Sequence, residues 1–433
     1  MRPIIWHNEE LRALRQSARP QPTELERVVA ALEQRGALTL QPLRSGLFPA
    51  AAVVGAMAPT SGYQNVWVRD NVYVACAHEA RGRLDVAGRI ASKLFEFFWK
   101  YRQRFQAIIA GTADPDDVMN RPHIRFDGES LEELSGQRWS HAQNDALGYA
   151  LWLFARLASA GVVPLDARAV EVLQLFPSYF AAIRYWEDED SGHWEETRRR
   201  SASSIGAALA GLEAAQLLTR ARFAELKAAG FAARAADQIS ELAVRGRAAL
   251  AEILPGECAQ LSPRQNRRYD AALLFLLHPL DVVGAPHREL ILADVERFLT
   301  SDVGVRRYLG DSYWAPNYDE HMSESDRTRD FSDDIETRDV LLDRIGHEAE
   351  WCIFDPILSA HYGKRYQRTR SSSDLARQIH HLDRSLAHIT SEWRCPELYY
   401  LKRGEFLPNP HTPLLWTQAN LIVALSELQR NLG

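Results

Sequence analysis

The feature that most constrains the fold of this chain is its helical periodicity. Apolar residues recur at spacings of three and four over long windows, whereas the alternation typical of strands is scarce. The pattern predicts about twelve helices, roughly at 22–35, 71–82, 85–109, 141–161, 166–183, 201–218, 220–252, 268–278, 287–300, 345–363, 372–391 and 412–430. We therefore expect an all-α fold.

The organisation of the chain favours a single domain. Its 433 residues are 46% hydrophobic and 25% charged, which is ordinary for a protein with a large core. Pro- and Gly-bearing loops separate the helices, but no low-complexity linker divides the chain into blocks. We expect one domain over residues 1–433, with a short N-terminal extension at 1–20.

Charge and hydropathy exclude several classes of protein. The net charge is −6, with acids and bases interspersed, so the basic surface of a nucleic-acid binder is absent. No run of about 18 apolar residues occurs, so we expect no membrane-spanning helix. The first residues, MRPIIWHNEELRALR, carry charges where a signal peptide needs an apolar stretch, which predicts a cytoplasmic protein.

No pattern in the sequence predicts a metal site or another cofactor. The four cysteines (Cys76, Cys258, Cys352 and Cys395) are scattered without CxxC spacing, which favours buried thiols over zinc ligands. The Asp188/Asp190 pair with Gly192 matches only a fragment of a calcium loop, and too few ligands follow it. The adjacent His380 and His381 lack ligand spacing.

Four connections are longer than helix packing requires: 111–138, 184–200, 303–340 and 393–411. Long loops in a compact domain are usually functional or disordered. Residues 184–200 and 393–411 concentrate Trp and Tyr beside carboxylates, which favours function. The acidic stretch at 323–334 is typical of a mobile flap or of simple disorder.

The segment GYQNVWVRDNVYVACA (62–77) is the first candidate for a site. Arg69 and Asp70 stand just before an apolar helical run, with Trp67 upstream. One interpretation makes Asp70 a helix N-cap and Arg69 its exposed neighbour. The other uses the two side chains to bind vicinal sugar hydroxyls while Trp67 covers an apolar sugar face.

The segment RWSHAQNDALGYALW (138–152) gathers Trp139, His141, Gln143 and Asp145 at a predicted helix start. An N-terminal cap with the indole in the core is as compatible with this pattern as a binding site. Gly148 follows one turn later, and a glycine there permits another helix to pack closely.

The segment YWEDEDSGHWEETRRRSASSIGAAL (185–209) places Glu195 and Glu196 directly after Trp194. A carboxylic acid against an indole is partly desolvated, which raises its pKa and keeps it protonated. A general acid that protonates a glycosidic oxygen needs such an environment. The alternative is a solvated acidic turn, which suits residues 187–190.

A second carboxylate, Glu397, lies in the segment WRCPELYYLKRGEFLPNPHTPLLWTQANLIVAL (393–425). Some 200 residues separate it from Glu195, so the two can meet only across a closed fold. RRYDAALLFL (267–276), RYLGDSYW (307–314) and HEAEWCIF (347–354) each combine an acid with Arg or aromatic residues at a predicted helix edge.

Taken in this order, these segments resemble the glucoamylase-type family 15 of glycoside hydrolases. They are most similar to the N-terminal portion of the α and β regulatory subunits of phosphorylase kinase. WVRDN, and PELYY with NPHTPLLW, carry the most specific part of the resemblance, which covers roughly residues 45–430. It implies an (α/α)6 barrel, with six inner and six outer helices and a pocket in the loops at one end.

The resemblance also implies roles for individual residues. Glu195 corresponds to the general acid and Glu397 to the general base that activates water. Three residues correspond to the subsite for the non-reducing glucose: Trp67, Arg69 and Asp70. The remaining pocket residues are Trp139, Gln143, Asp145, Trp194, Glu196, Asp270, Asp311 and Trp351.

The function implied is an inverting, exo-acting α-glucoside hydrolase that releases glucose from an α-glucan or maltooligosaccharide. The alternative is a non-catalytic glucan-binding or regulatory protein that uses the same pocket, like the barrel of the kinase subunits.

Overall fold

The computed structural model describes residues 3–51, 62–260, 266–323, 331 and 333–433. Its α-helices are α1 Glu9–Leu14, α2 Pro22–Gln34, α3 Val68–Ala80, α4 Leu84–Lys100, α5 Gln103–Ile109, α6 Asn144–Ser159, α7 Ala167–Ala182, α8 Ala202–Ala228, α9 Ala233–Ile253, α10 His287–Asp294, α11 Tyr318–His321, α12 Ile335–Leu342, α13 Phe354–Thr369, α14 Ser372–Ala387 and α15 Leu415–Leu432. Short 3-10 helices lie at Val118–Asn120, Gly192–Trp194 and Ala271–Leu276, and a π-helical turn at Val295–Leu299 continues α10.

Six helical segments pack side by side in a closed ring. In order, they are α3, α6, α8, the 3-10 helix Ala271–Leu276, α13 and α15, and the last contacts the first. Along most of their lengths these segments are buried on all sides, because small or apolar residues occupy every face. They form the inner layer of a barrel.

A second helix packs against each inner segment from outside. The pairs are α3 with α4, α6 with α7, α8 with α9, the 3-10 helix with α10, α13 with α14, and α15 with α2. The predicted (α/α)6 barrel is therefore confirmed. Because inner and outer helices alternate along the chain, all six inner segments run in one direction and begin at the same end.

Most of the buried hydrophobic side chains in the described part of the chain belong to one cluster. The predicted N-terminal extension also joins the barrel, since α1 contacts α14 and Leu11 is buried. Of the four cysteines, Cys258, Cys352 and Cys395 are buried and Cys76 is partly buried, all as free thiols. No described helix is both long enough and apolar enough to cross a membrane.

The closest packing within the ring is between α6 and α8. A Cβ at Gly148 would lie 2.4 Å from backbone atoms of Ala207, and a Cβ at Gly211 would lie 2.7 Å from the carbonyl oxygen of Gly148. Backbone atoms cannot move aside as a flexible side chain can. The expectation that Gly148 permits close packing is confirmed.

We therefore expect Gly148→Ala to lower the free energy of unfolding by about 2 kcal/mol or more, because the methyl group forces α6 and α8 apart. Urea unfolding followed by circular dichroism measures this change. Gly284→Ala is the matched control, since no atom lies within 4 Å of its Cβ position. Equal stability of the two variants would contradict the packing argument.

Several predicted helices differ from the structure, and the single helix predicted at 85–109 is two helices, α4 and α5. The break expected near Thr219 is absent, because α8 continues to Ala228 through a kink at Arg222. The segment predicted at 268–278 is a short 3-10 helix capped by Asp270. The helix predicted from 345 begins only at Phe354, because Glu350 and Trp351 pair with a strand.

In the described part of the chain, six short strands form two small antiparallel sheets. The first contains β1 Val66–Trp67, β2 Arg125–Asp127 and β3 Glu132–Glu133; the second contains β4 Glu350–Trp351, β5 Leu398–Lys402 and β6 Glu405–Pro408. Their lengths of two to five residues agree with the expectation of almost no sheet. Residues 393–411 are predicted to be a loop, whereas β5 and β6 form a hairpin across a turn at Arg403 and Gly404, both with positive φ.

Candidate active site

The predicted site residues gather where the inner helices begin. Trp67 ends β1 directly before α3, Arg69 and Asp70 lie in the first turn of α3, and Glu195 precedes α8. Asp270 caps the inner 3-10 helix. Since the inner helices share one direction, these positions share one end of the barrel. Helix N-termini carry partial positive charge, which suits an end rich in carboxylates.

Two neighbouring aromatic residues connect the predicted catalytic carboxylates. Trp67 donates its indole N–H to Glu195 Oε1 at 2.8 Å, and Tyr63 donates its hydroxyl to Glu397 Oε1 at 2.7 Å. The rings of Tyr63 and Trp67 have centroids 5.6 Å apart. The two carboxylates, 202 positions apart in sequence, therefore lie along one pocket wall.

Glu195 occupies a special backbone position. It ends the 3-10 helix Gly192–Trp194 with φ 61° and ψ 30°, which is the left-handed region that a residue other than glycine rarely adopts. Its side chain is 19% exposed, and a guanidinium nitrogen of Arg69 lies 3.5 Å from Oε1. The order of residues in the sequence predicts that Trp194 is the indole beside Glu195. The hydrogen bond instead comes from Trp67, and Trp194 donates to Asp270 at 3.0 Å.

Glu397 is buried and held by three side chains. Besides Tyr63 on Oε1, the Asn409 amide donates to Oε2, and His411 Nδ1 lies 3.0 Å from the same oxygen. The His411 ring also stacks on Tyr63 at 3.8 Å between centroids. These contacts fix the orientation of the Glu397 carboxylate.

Arg69 and Asp70 are both buried, and Arg69 lies beside Glu195. Arg69 donates to Asp145 Oδ2 at 2.8 Å and to Gln143 Oε1 at 3.1 Å. Burial raises the pKa of Asp70 to about 7; the Arg69 charge opposes this rise, and the charges of Glu195 and Glu397 add to it. Asp70 therefore titrates near neutrality, unlike an ordinary aspartate.

Aromatic rings form a second wall around Arg307. The centroid of Trp351 lies 5.8 Å from Trp194 and 5.8 Å from Tyr313. The Arg307 guanidinium lies 5.2 Å from the Trp194 centroid and 5.1 Å from that of Trp351. Flat apolar faces beside a fixed cation can bind a sugar, which has both apolar faces and hydroxyls.

Glu196 points to different partners from Glu195. It accepts hydrogen bonds from Arg267 at 2.6 Å, Arg307 at 3.0 Å and Tyr308 at 2.7 Å. Burial alone would raise the pKa of Glu196, but the two guanidinium groups outweigh burial and the pKa lies below its ordinary value. Glu196 is therefore an anion that fixes two arginines.

Trp139 lies at the edge of the site. Its ring meets Trp67 edge-on at 6.1 Å, and the Arg125 guanidinium lies 3.8 Å from the Trp139 centroid and 4.9 Å from that of Trp67. The register of β1 and β2, which pairs Trp67 with Arg125, brings these groups together.

Four predicted pocket residues lie behind the walls and are almost fully buried. Gln143 and Asp145 hold Arg69, while Asp311 binds Arg307 through both oxygens at 2.6 and 2.7 Å. Asp270 accepts the Trp194 N–H, and burial raises its pKa to about 6. Direct contact between these four and a sugar stays a prediction. The structure shows that their hydrogen bonds hold Arg69, Trp194 and Arg307 in place.

Several side chains that contact carboxylates of the site have no role predicted from sequence. Tyr63, Asn409 and His411 contact Glu397, and Arg307 contacts Glu196 and Asp311. All four lie inside the segments quoted above. Tyr63 and Arg307 are each four positions from a predicted site residue, whereas Asn409 and His411 are 12 and 14 positions from Glu397. Their polar or aromatic character within a motif segment is the only indication in the sequence that they belong to the site. The fold is needed to show which of these side chains contact a carboxylate.

Among the described residues, no group of His, Cys, Asp and Glu side chains is arranged to hold a metal ion. The carboxylates of the fragmentary calcium pattern have protein partners. Asp188 accepts two hydrogen bonds from Arg121, at 2.6 and 2.8 Å, and Asp190 accepts one from the backbone N–H of Asn144 at 2.8 Å.

Comparison with known families decides the affiliation of the chain. The model of family 15 of the glycosyl hydrolases matches residues 24–423, which include every predicted site residue. The chain belongs to glycosyl hydrolase family 15. A curated relative, the uncharacterized lipoprotein YgeQ of Escherichia coli strain K12, is 28% identical over 189 residues, which cover 39% of this chain and 70% of YgeQ.

Solved structures share the fold of this family 15 member. A glycosidase variant in complex with glucose superposes with a TM-score of 0.65 at 19% identity, over 97% of this chain and 98% of that one. Glucoamylase from Saccharomycopsis fibuligera gives 0.60 at 14% identity, over 95% and 96%. A bacterial glucoamylase complexed with acarbose gives 0.59 at 14% identity, over 89% of this chain and 53% of that one.

Proposed function

We propose that this protein is an inverting, exo-acting α-glucosidase of the glucoamylase type, which releases glucose from the non-reducing end of maltooligosaccharides. The observation that carries the proposal is the pairing of two carboxylates through Tyr63 and Trp67 on one pocket wall. Relatives bound to glucose and to acarbose support a glucan-like ligand.

The proposed chemistry is a single displacement. Glu195 gives its proton to the glycosidic oxygen as the bond from that oxygen to the anomeric carbon breaks. Water attacks the anomeric carbon from the opposite face, and its proton passes to Glu397. The products are the shortened glucan and β-glucose. Room for that water requires carboxyl groups roughly 6.5–9.5 Å apart, which we expect in the glucan-bound protein.

Binding and chemistry use separate groups in this proposal. Arg69 and Asp70 bind the hydroxyls of the terminal glucose, and the aromatic wall of Trp194 and Trp351 covers its apolar faces. The three contacts on Glu397 leave its carboxylate in one orientation, which a base needs if it is to direct water along a single path.

Incubation with maltotetraose tests the proposal. Proton NMR during the first minutes should show free glucose that begins as the β-anomer, with maltotriose as the other product. Release of α-glucose first would contradict inversion, and release of maltose alone would contradict exo-attack on single glucose units. If maltotetraose binds but is not hydrolysed, the glucan-binding or regulatory alternative replaces this proposal.

A further inference from the structure

A histidine that the proposed chemistry does not use lies two residues before Glu195. His193 is the middle residue of the 3-10 helix Gly192–Trp194, and its side chain is buried. It has no surface to offer a sugar, so contact with substrate does not explain it. A buried imidazole also needs polar partners for both ring nitrogens.

Three inner segments of the barrel supply the surroundings of His193. Nδ1 lies 3.1 Å from Ser203 Oγ on α8, and Nε2 lies 3.2 Å from the Tyr149 hydroxyl on α6. The ring stacks on Phe275 of the inner 3-10 helix, with 4.6 Å between centroids. Contacts to three separate helices fix both the place and the rotation of the imidazole.

A second path connects His193 to Glu195 through side chains. Nε2 lies 3.6 Å from Asp145 Oδ2, the oxygen that accepts a hydrogen bond from Arg69. Another nitrogen of Arg69 lies 3.5 Å from Glu195. His193 is therefore connected to Glu195 in two ways, through two peptide bonds along the backbone and through the side chains of Asp145 and Arg69.

The imidazole of His193 is neutral near pH 7. Burial lowers the pKa of His193 to about 4, and the Asp145 charge opposes this shift without reversing it. A neutral ring has one N–H and one lone pair, which the hydroxyls of Ser203 and Tyr149 can both satisfy. A neutral ring also carries no charge that would compete with Arg69 for the Asp145 carboxylate.

We propose that His193 is a positioning residue for Glu195. By fixing the 3-10 turn to the inner helices, it holds Glu195 in its left-handed backbone conformation, with the carboxyl group toward Trp67 and Arg69. A glutamate free to leave this conformation would lie out of reach of the glycosidic oxygen. The inference rests on the proposed function, since it requires Glu195 to be the general acid.

The test compares two substrates that differ in their need for an acid. Maltose has a sugar leaving group whose oxygen must be protonated, whereas fluoride leaves α-D-glucosyl fluoride without that proton. His193→Phe keeps a ring against Phe275 and removes both hydrogen bonds. We expect it to lower kcat on maltose about 10- to 100-fold with KM within about two-fold, and to change kcat on the fluoride by less than about three-fold.

Two further variants keep the inference testable if His193→Phe does not fold. Ser203→Ala and Tyr149→Phe each remove one partner of the imidazole, and each should lower turnover of maltose more than turnover of the fluoride. His361→Phe is the matched control. It also replaces a buried histidine, but one two turns into α13, and should leave the ratio of the two activities unchanged.

The outcomes separate this inference from the proposed function. Equal losses on both substrates, or no loss on either, would show that His193 does not act through the acid. An unmutated protein that hydrolyses neither substrate would overturn the proposed function, and this inference with it.

Discussion

Glu195→Gln is expected to lower turnover of maltotetraose by about 100-fold or more, the usual scale for a positioned proton transfer. The amide has the shape of the carboxylic acid and can still accept the Trp67 hydrogen bond, but it has no acidic proton to donate. Affinity for the glucan should change little, because the lost interaction belongs to the transition state. Steady-state kinetics and calorimetric titration measure the two effects.

Glu397→Gln should lower turnover of maltotetraose on the same scale, since both carboxylates act in a single step. The two variants differ on α-D-glucosyl fluoride. We expect Glu195→Gln to hydrolyse it nearly as well as the unmutated protein, because fluoride needs no acid, whereas Glu397→Gln should fail on it, because water still needs a base.

The matched control for both variants is Glu427→Gln. Glu427 is a buried glutamate in the last part of α15, far from the helix starts, where it pairs with Lys364 and Arg430. Its replacement should leave turnover per folded molecule unchanged. Full activity of both Glu195→Gln and Glu397→Gln in a protein that hydrolyses maltotetraose would show that the assignment of acid and base is wrong, even though the barrel is right.

The order of helices could be predicted from sequence, because burial on one face leaves a period of about 3.6 residues and burial on all faces leaves a long run of small and apolar residues. Helix ends were harder to predict. Pro356 lies in the first turn of α13, where proline is tolerated, so it marks a helix start that periodicity alone extended upstream to 345. Conversely, Gly230, with φ 99°, marks the true end of α8, which periodicity placed near 219.

The candidate site could be predicted only as separate segments. Motifs named Glu195 and Glu397, but nothing local shows that Tyr63 reaches Glu397 while Trp67, four residues later, reaches Glu195. The same limit applies to Trp194, whose sequence neighbour is Glu195 but whose hydrogen-bond partner is Asp270. Adjacent residues at a helix start point in different directions, so the pairings depend on the closure of the ring.

Asp70→Asn is expected to stabilise the protein while weakening its binding of glucan. An aspartate with an ordinary pKa of 3.8 when unfolded and about 7 when folded destabilises the native state once it must ionise there. Below about pH 4 it is protonated in both states and has no effect. Between about pH 4 and 7 only the unfolded state releases the proton, so stability falls as the pH rises, and above about pH 7 the loss is complete.

The size of the gain follows from the shift in pKa. A difference of about three units corresponds to about 4 kcal/mol, so Asp70→Asn should raise the free energy of unfolding by up to about 4 kcal/mol at pH 8 and by only about 0.5 kcal/mol at pH 4. Urea unfolding at the two pH values measures this. Asparagine cannot offer a sugar hydroxyl a charged acceptor, so affinity for maltotetraose at pH 8 should fall about 10-fold or more.

Asp355, a buried aspartate whose pKa is lowered and not raised, provides the control for Asp70→Asn. Burial alone would raise the pKa of Asp355, but Arg384 at 2.9 Å outweighs burial and, with His381 and His388, holds the pKa well below its ordinary range. A lowered pKa stabilises the fold above the unfolded value, so Asp355→Asn should cost about 3–5 kcal/mol at pH 8. Opposite signs at the two sites, together with weaker binding of maltotetraose by Asp70→Asn, would show that Asp70 supports binding at the expense of stability. A loss of stability from Asp70→Asn at pH 8 would contradict that conclusion.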